Sequence, residues 1–345
     1  MLLQICPHDT PPFAELCRVF AQAAAEADLE STTIFLSNPS GSAEPGTIYL
    51  GVERLKQTRK LGKELANVVG QTKPAIILCH RYRAFRAALA AGLPQTRMVV
   101  LAHEFGLLDG VQRRLHRSLF ARPVRFAGVS PAVAEELAQV ARINMVLPNA
   151  LDLSTLTQTR LSREAARERL GVADATGPLV GVVGRWHYKK RPELSLAVLE
   201  LLRREHPDAR MVMVGPDPGQ ATAEGLHVAG QVPRAADVMA AFDVLLHVGN
   251  VESFGMVLLE AMAAGVPVVA AKTPGPEFVL GDIGYFPAVD DASGYVAAIS
   301  QALNASPERL SQGQGRAAEK FSIAATSAKL KSLAKFLNKP EDDPF

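Results

Sequence analysis

The sequence predicts an α/β protein with two doubly wound domains that face one cleft. Short runs rich in valine, leucine and alanine alternate with segments of helical periodicity, which favours parallel sheets covered by helices on both faces. A polar stretch at 151–177 interrupts this alternation, and we interpret it as a linker containing a helix at 163–170. The length of 345 residues suits two domains. A composition of 48% hydrophobic and 6% aromatic residues favours α/β layers over an all-β fold.

The N-terminal domain is expected at residues 1–155. Apolar runs of strand length predict its strands at 2–6, 33–36, 47–50, 75–79, 98–102, 126–129 and 144–147. Apolar residues at helical spacing predict helices at 13–27, 53–70, 85–91 and 132–141, and in a basic segment that begins near residue 111.

The C-terminal domain is expected at residues 156–320. Its strands are predicted at 179–183, 210–214, 227–228, 244–248 and 266–270. Helices are predicted at 192–205, at 235–242 and up to residue 264, where Gly265 ends the last of them. Residues 321–345, a helix at 323–337 and a polar tail, are expected to close the molecule.

Cysteine usage and hydropathy indicate a cytoplasmic protein. Cys6, Cys17 and Cys79 are an odd number without metal-ligand spacing, which is typical of a reducing compartment. No apolar run approaches the ~20 residues of a membrane helix. Residues 1–7 lack the basic region of a signal peptide, so we predict a first strand there.

Charge is unevenly distributed along the chain. Residues 1–150 carry 17 Lys+Arg and 12 Asp+Glu, a net +5, whereas residues 151–345 carry 20 and 23, a net −3. Five arginines concentrate the basic excess: Arg113, Arg114, Arg117, Arg122 and Arg125. Val111, Leu115, Leu119 and Phe120 interleave with them at helical spacing, so the segment is either a basic helix on the cytoplasmic face of the inner membrane or a solvated helix face. Nucleic-acid binding is not expected, because stacking aromatics are scarce.

The first candidate site is a strand–loop–helix segment with two carboxylates eight positions apart, Glu252 and Glu260. The loop follows the strand at 244–248, and open parallel sheets bind ligands at the carboxyl ends of their strands. A helical segment of that spacing spans ~12 Å, which suits two contacts on one elongated ligand. The helix entrance at Ser253, Phe254, Gly255 and Met256 offers backbone N–H groups to a phosphate.

The second candidate site begins where the strand at 179–183 ends. Gly184 permits close backbone approach, and the cations from Arg185 to Lys190 would neutralise phosphate at a helix entrance. The segment has neither the dinucleotide fingerprint nor the Walker pattern, and a basic loop without a ligand is the alternative. A diphosphate would bind between the two sites, with Glu260 on a ribose and Glu252 on a second polyol. A ligand that combines these groups is a sugar nucleotide.

These segments resemble the retaining GT-B glycosyltransferases of group 1, often called family four. The resemblance covers most of residues 96–320 and would make the two domains Rossmann-like. The motifs that carry it are Gly184-Arg185…Lys190, Glu252…Glu260 with Phe254-Gly255, Val214-Gly215-Pro216, Gly230-Gln231-Val232-Pro233 and Gly275-Pro276-Glu277.

The resemblance implies roles for the donor-site residues. Arg185 and Lys190 would hold the donor diphosphate, and Glu252 would contact hydroxyls of the donor sugar. Glu260 would contact the nucleotide ribose, and backbone around Val232 would hold the base. Such enzymes retain configuration without a clear protein nucleophile, because the leaving phosphate accepts the acceptor's proton on the same face.

In the N-terminal domain the resemblance points to His103 as the cleft histidine near the donor sugar. His103 joins Glu252, Arg185 and Lys190 as the expected catalytic residues, and His80 is the weaker competitor for its role. Ser130 and Asn149 also match the family, with structural roles. No metal is expected, since no D-x-D pair is present, and no cofactor is expected beyond the donor substrate.

Two departures from the family pattern limit what can be carried over. The first loop, residues 7–12, contains no glycine, so acceptor contacts cannot be transferred to it. The usual Lys-Gly is here Lys190-Arg191-Pro192, which either adds a third phosphate cation or starts a helix at Pro192.

The sequence therefore predicts a cytoplasmic retaining glycosyltransferase that moves a hexose from a nucleoside-diphosphate sugar, with UDP expected, to an acceptor hydroxyl. The expected acceptor is a cell-envelope glycan or glycolipid such as lipopolysaccharide core. The alternatives are a sugar-nucleotide epimerase on the same fold and a non-catalytic carbohydrate-binding protein.

Overall fold

The chain forms two compact α/β units. The structure, a computed structural model, describes residues 1–52, 58–70, 72–111, 113, 115, 118, 123–139, 144–217 and 219–338. One unit comprises Met1–Ala150 and the segment from Phe321 onward, and the other is Leu151–Lys320.

The N-terminal unit contains a seven-stranded parallel sheet in the order β3-β2-β1-β4-β5-β6-β7. Its strands are β1 (Leu2–Cys6), β2 (Ser31–Phe35), β3 (Thr47–Tyr49), β4 (Ile76–His80), β5 (Met98–Ala102), β6 (Arg125–Gly128) and β7 (Asn144–Val146). The central strands β1, β4 and β5 are buried along their whole length, as expected when helices cover both faces of a sheet.

The α-helices described in this unit pack against that sheet or against one another. They are Phe13–Glu26, Thr58–Val69, Arg81–Ala90, Pro131–Ala138 and Ile323–Leu337. The last helix, expected to close the molecule, lies against Phe13–Glu26 and so belongs to the N-terminal unit.

The C-terminal unit contains a five-stranded parallel sheet in the order β10-β9-β8-β11-β12. Its strands are β8 (Leu179–Val183), β9 (Arg210–Val214), β10 (Leu226–Gly230), β11 (Val244–His247) and β12 (Val268–Ala270). The α-helices are Leu153–Thr159, Arg163–Arg169, Pro192–Glu205, Met256–Ala264, Pro274–Leu280, Ala292–Leu303 and Pro307–Lys320.

The polar stretch interpreted as a linker with one helix contains two helices, and both belong to the C-terminal unit. The side chain of Asp152 accepts from Thr155 N and caps Leu153–Thr159. Ser162 accepts from Ala165 N and caps the next helix. Capping by short polar side chains stabilises helices whose apolar content is low, which explains the error. A second difference is that Ala235–Ala241 is a 3-10 helix rather than an α-helix.

Part of the predicted basic helix cannot be assessed. Arg114, Arg117, Leu119, Phe120 and Arg122 lie outside the described residues, as do residues 53–57 at the start of another predicted helix. Arg125, which was counted with the basic segment, lies in β6 and donates to Thr96 O. Within the described ranges, no helix is long and apolar enough to span a bilayer.

Candidate functional site

Glycines bring three loops of the C-terminal unit into backbone contact where strands β8 to β10 end. The N–H of Gly184 donates to Val214 O at 2.9 Å, and the N–H of Gly215 donates to Gly230 O at 2.8 Å. A Cβ atom at Gly215 would lie 2.6 Å from the carbonyl oxygen of Gly184, so no larger residue fits there. A ligand at this edge can therefore approach the backbone closely.

The basic loop after β8 folds back beside Gly184. Residues Tyr188–Lys190 form a 3-10 turn, and Lys190 Cε lies 3.7 Å from where a Cβ atom of Gly184 would be. Arg185 is exposed to solvent. Both residues predicted to bind the donor diphosphate thus lie on one loop at the carboxyl end of β8.

Arg191 does not supply a third cation to this loop. Its Nη1 donates to Val289 O at 2.6 Å, and its Nη2 forms an ion pair with Asp290. The residue immediately precedes the helix Pro192–Glu205, which has proline in its first turn. Of the two alternatives for this segment, the structure shows a helix start.

Lys190 is joined to the predicted sugar-contacting carboxylate. Its Nζ donates to Oε2 of Glu252 at 2.7 Å, across 62 positions of the chain. The side chain of Lys190 is 34% exposed and that of Glu252 is 15% exposed. Lys190 therefore keeps donors for a ligand, whereas Glu252 is largely enclosed.

His247, the last residue of β11, also faces this carboxylate, and the sequence reasoning missed it. Its Nε2 lies 3.4 Å from Glu252 Oε2, and its side chain is 4% exposed. That nitrogen forms no hydrogen bond within the described residues. The available signal was a histidine ending a buried strand five positions before Glu252.

The three side chains set each other's ionisation. Burial would raise the pKa of Glu252, but contact with His247 and the charge of Lys190 outweigh it and hold that pKa well below its usual range. Burial lowers the pKa of His247, and the charge of Lys190 lowers it further. We therefore assign an ionised Glu252 that accepts from charged Lys190 and lies beside a neutral His247.

Two more glycines hold the Glu252 loop in place. A Cβ atom at Gly275 would overlap the carbonyl oxygen of Glu252, and one at Gly249 would lie 2.9 Å from Lys189 O. Phe254 is buried, with its ring 6.2 Å from that of Phe278 in an edge-to-face arrangement. The side chain of Phe254 therefore anchors the loop, and its predicted ligand contact is limited to backbone.

The other predicted donor-site residues lie around this cluster. Gly255 adopts a left-handed φ of 93° and precedes the helix Met256–Ala264, which carries Glu260. Ser253, Met256 and Glu260 are half-buried, and Val232 is half-buried in the loop after β10. Strand ends and one helix entrance thus bring the predicted residues to the same edge of the C-terminal sheet.

In the N-terminal unit, His103 and His80 form a pair. They stand at the ends of β5 and β4, with ring centroids 5.2 Å apart and ring planes 19° apart. His80 Nδ1 lies 3.0 Å from His103 Nε2. His80 is therefore a hydrogen-bond partner of His103.

A buried glutamine fixes the direction of this hydrogen-bonded chain. Gln4 Nε2 donates to Cys17 O at 2.9 Å and to Thr33 Oγ1 at 3.1 Å. Gln4 Oε1 is then the acceptor for Nε2–H of His80, 3.3 Å away. His80 Nδ1 must accept, so Nε2 of His103 donates to it. The contact of His103 with a donor sugar stays a prediction, and its ring would have to rotate to offer Nε2.

Both histidines are neutral at physiological pH. Burial lowers the pKa of His80 to about 3. Burial also lowers the pKa of His103 well below its usual range, and the nearby His80 and Arg81 lower it further. Ser130 and Asn149 are buried in the same unit, and their structural roles stay a prediction.

We expect the free energy of unfolding to fall as pH drops from 6.5 towards about 3, because His80 is neutral when folded and takes up a proton when unfolded. The depressed folded pKa gives stability that is present above the unfolded pKa and lost in acid. Urea denaturation of the wild type and of His80→Gln, near neutral pH and near pH 5, measures this. The wild type should lose more stability than the variant; equal losses would contradict the assignment.

Comparison with known proteins identifies the family. Residues 163–320 match the family model for glycosyl transferases group 1, and residues 16–155 match that for glycosyltransferase family 4. The chain contains a group 1 glycosyl transferase domain and a glycosyltransferase family 4 domain. The resemblance stated from the sequence is thereby confirmed.

Curated relatives of this glycosyltransferase match over part of their length. A D-inositol 3-phosphate glycosyltransferase of Segniliparus rotundus is 35% identical over 204 residues, which is 53% of this chain and 44% of that protein. The enzyme of that name from Corynebacterium aurimucosum is 33% identical over 215 residues, 55% of this chain and 50% of that protein. The chain thus spans about half the length of these relatives.

Solved structures confirm the predicted GT-B fold class, which consists of two parallel-sheet α/β domains. A glycosyltransferase from Rickettsia africae ESF-5 superposes with a TM-score of 0.81 at 13% identity, covering 99% of both chains. Anabaena Alr3699/HepE in complex with UDP and glucose superposes with a TM-score of 0.76 at 19% identity, covering 97% of this chain and 100% of that one.

Proposed function

We propose that this group 1 glycosyltransferase transfers a hexose from a nucleoside-diphosphate sugar, with UDP as the expected nucleotide, to an acceptor hydroxyl with retention. The observation that carries the proposal is the ion pair of Lys190 with Glu252 at the carboxyl ends of β8 and β11. A partly exposed cation and an enclosed carboxylate at this edge suit a diphosphate and sugar hydroxyls, respectively.

In the proposed reaction, the bond between the anomeric carbon and the diphosphate oxygen breaks while the acceptor oxygen bonds to the same face of that carbon. The acceptor's proton passes to the leaving phosphate. Lys190 and Arg185 stabilise the charge that grows on the diphosphate, and this stabilisation is the main contribution of the protein.

Glu252 positions the donor sugar in this proposal. Because the carboxylate is ionised and held by Lys190 and His247, it can accept hydrogen bonds from sugar hydroxyls without rearranging. Glu260 would bind the ribose and backbone near Val232 the base. We also propose that His103 contacts the donor sugar and that the transfer needs neither metal nor cofactor.

For the acceptor, we propose a hydroxyl of a cell-envelope glycan or glycolipid. Support comes from the net +5 charge of residues 1–150, which would favour association with the cytoplasmic face of an anionic inner membrane. Sedimentation with anionic liposomes tests this. If the protein does not sediment with liposomes and glycosylates only small soluble sugars, the proposal of an envelope acceptor is wrong.

Donor binding tests the function before an acceptor is known. A ligand that binds only the native state raises the melting temperature, so a panel of UDP-, GDP- and ADP-sugars should show one selective shift. The shift should be lost in Glu260→Ala and Lys190→Ala. No shift with any nucleotide sugar would favour the carbohydrate-binding alternative. Conversion of the donor into its epimer without an acceptor would favour the epimerase.

A further inference from the structure

The N-terminal unit contains a cavity of about 650 Å³, lined in part by His103 and otherwise by residues given no role in donor binding. It lies where strands β1, β4 and β5 end, between the loop at Pro7 and His8, the helix Arg81–Ala90 and the segment that begins at His103. Ligands of parallel sheets bind at this edge, and cavities of ~300–1,000 Å³ hold small molecules.

The cavity is strongly basic. The arginines that line it are Arg81, Arg83, Arg86 and Arg113, and Glu104 is the one carboxylate among its described lining residues. Glu104 lies 3.2 Å from Arg81, and its side chain is 60% exposed. Within the described ranges, the other three arginines form no ion pair with a carboxylate, so no described carboxylate neutralises their charges.

Neutral groups hold these three arginines in place. Arg83 Nη2 donates to Val52 O at 2.8 Å, and Arg86 Nη2 donates to Thr58 Oγ1 at 3.2 Å. Arg113 Nη1 donates to Leu107 O at 3.1 Å, a bond to an uncharged acceptor. A guanidinium has five N–H donors, so each arginine keeps donors for a further partner.

Two further arginine contacts shape the cavity wall. Arg113 lies over the ring of Tyr82 with its guanidinium carbon 5.0 Å from the ring centroid. Arg81 lies 4.6 Å from the centroid of Phe13 and adopts a left-handed φ of 70°. A left-handed arginine is strained, and such strain concentrates at functional sites.

A neighbouring histidine reports the positive potential of the cavity. Burial lowers the pKa of His8, and the charges of Arg81 and Arg83 lower it further against an opposing effect of Asp9. Burial also lowers the pKa of Arg83, whose Nε is buried without a hydrogen-bond partner among the described residues. A bound anion would supply the negative charge that these arginines lack among the described residues.

We propose that this cavity binds the acceptor through a phosphate or carboxylate group on it, held by Arg83, Arg86 and Arg113. The volume exceeds that of a free oxyanion many times over, so the anion is one part of a larger polar molecule with a reactive hydroxyl. Planar guanidinium groups suit such oxyanions because they donate in pairs. This inference rests on the proposed glycosyltransferase function and narrows its acceptor to anionic polyols.

Calorimetry on the full chain tests the anion site without any donor. Inorganic phosphate and glucose 6-phosphate should bind in the millimolar range or tighter, and glucose should not. Arg86→Gln and Arg113→Gln should each weaken binding about tenfold or more, because each removes a charged hydrogen bond. Arg59→Gln is the matched control, since Arg59 is exposed on the adjacent helix Thr58–Val69 and does not line the cavity.

The outcomes separate this inference from the proposed function. No phosphate binding, or equal weakening by Arg59→Gln, overturns the anion site. Competition between UDP and glucose 6-phosphate also overturns it, because the cations would then serve the donor. The melting-temperature shift with the donor should persist in Arg86→Gln. If that shift is absent in the wild type while phosphate still binds, the glycosyltransferase proposal fails and the anion site stands.

A transfer assay with the donor distinguishes the sources of the anion. The rates of transfer to glucose 6-phosphate and to glucuronate compare a phosphate with a carboxylate. The rate of transfer to a phosphorylated glycan on lipid compares a lipid-linked acceptor with a free one. Faster transfer to any of these than to its neutral counterpart supports the proposal. Preference for the neutral counterpart in every pair overturns it.

Discussion

Replacing Lys190 with glutamine is expected to lower the rate of sugar transfer by about 100-fold or more, because a cation that stabilises the leaving diphosphate is lost. Glutamine retains a donor for Glu252, so the enclosed carboxylate is not left without a partner. Steady-state kinetics should show most of the loss in kcat, since the charge on the diphosphate grows in the transition state.

The matched control for this variant is Lys189→Gln. Lys189 carries the same charge one position earlier, but its side chain is exposed, and no ion pair of it is found in the described part of the chain. We expect its rate to stay within about threefold of the wild type. Comparable losses in the two variants would mean that general positive charge on the loop, and not Lys190, supports the reaction.

Replacing Glu252 with glutamine is expected to lower kcat about 10- to 100-fold, and also to lower the free energy of unfolding because Lys190 loses its charged partner. Glutamine has the shape of glutamate but not its charge, so it accepts weaker hydrogen bonds from sugar hydroxyls and no longer pairs with Lys190. Single-turnover kinetics with saturating donor measure the effect. Glu260→Gln, at the predicted ribose contact, should instead raise the donor KM with a smaller change in kcat.

The depressed pKa of Glu252 adds a pH criterion to this prediction. Because Lys190 and His247 hold the pKa of the carboxyl well below its usual range, Glu252 stays ionised throughout mildly acidic pH. As the pH falls through ~4.3, the ordinary pKa of a glutamate carboxyl, wild-type kcat should therefore show no loss that is due to Glu252. The pH profiles of the wild type and of Glu252→Gln should have the same shape in that range. An acid limb present in the wild type and absent from the variant would contradict the assigned ion pair.

Most of the fold could be predicted from the sequence because most strands are short apolar runs. The predicted bounds of β1, β5, β8 and β9 agree with those observed. The sequence did not predict the helices in weakly apolar segments, and the reason is physical. Leu153–Thr159 is held by the cap at Asp152, and Pro274–Leu280 begins with residues that also favour turns.

The candidate site could be predicted only in part. Glycine and charge patterns marked Lys190 and Glu252 separately, but their hydrogen bond joins residues far apart in sequence. The position of His247 and of His80 at the end of a strand could be read from the sequence, but their contacts with Glu252 and His103 depend on how neighbouring strands pack. The basic cavity likewise collects residues from three strand ends of the N-terminal sheet, and only Arg113 among its arginines had been singled out.

Retaining transfer at the site of Lys190 and Glu252 is tested most directly by the anomeric configuration of the first product formed. The full chain would be incubated with the nucleotide sugar that raises its melting temperature, with an anionic polyol as acceptor, and followed by proton NMR. We predict a glycoside of the donor's own anomeric configuration, with nucleoside diphosphate released in equal amount and both lost in Lys190→Gln. A product of inverted configuration, or transfer that Lys190→Gln leaves unchanged, would contradict this mechanism.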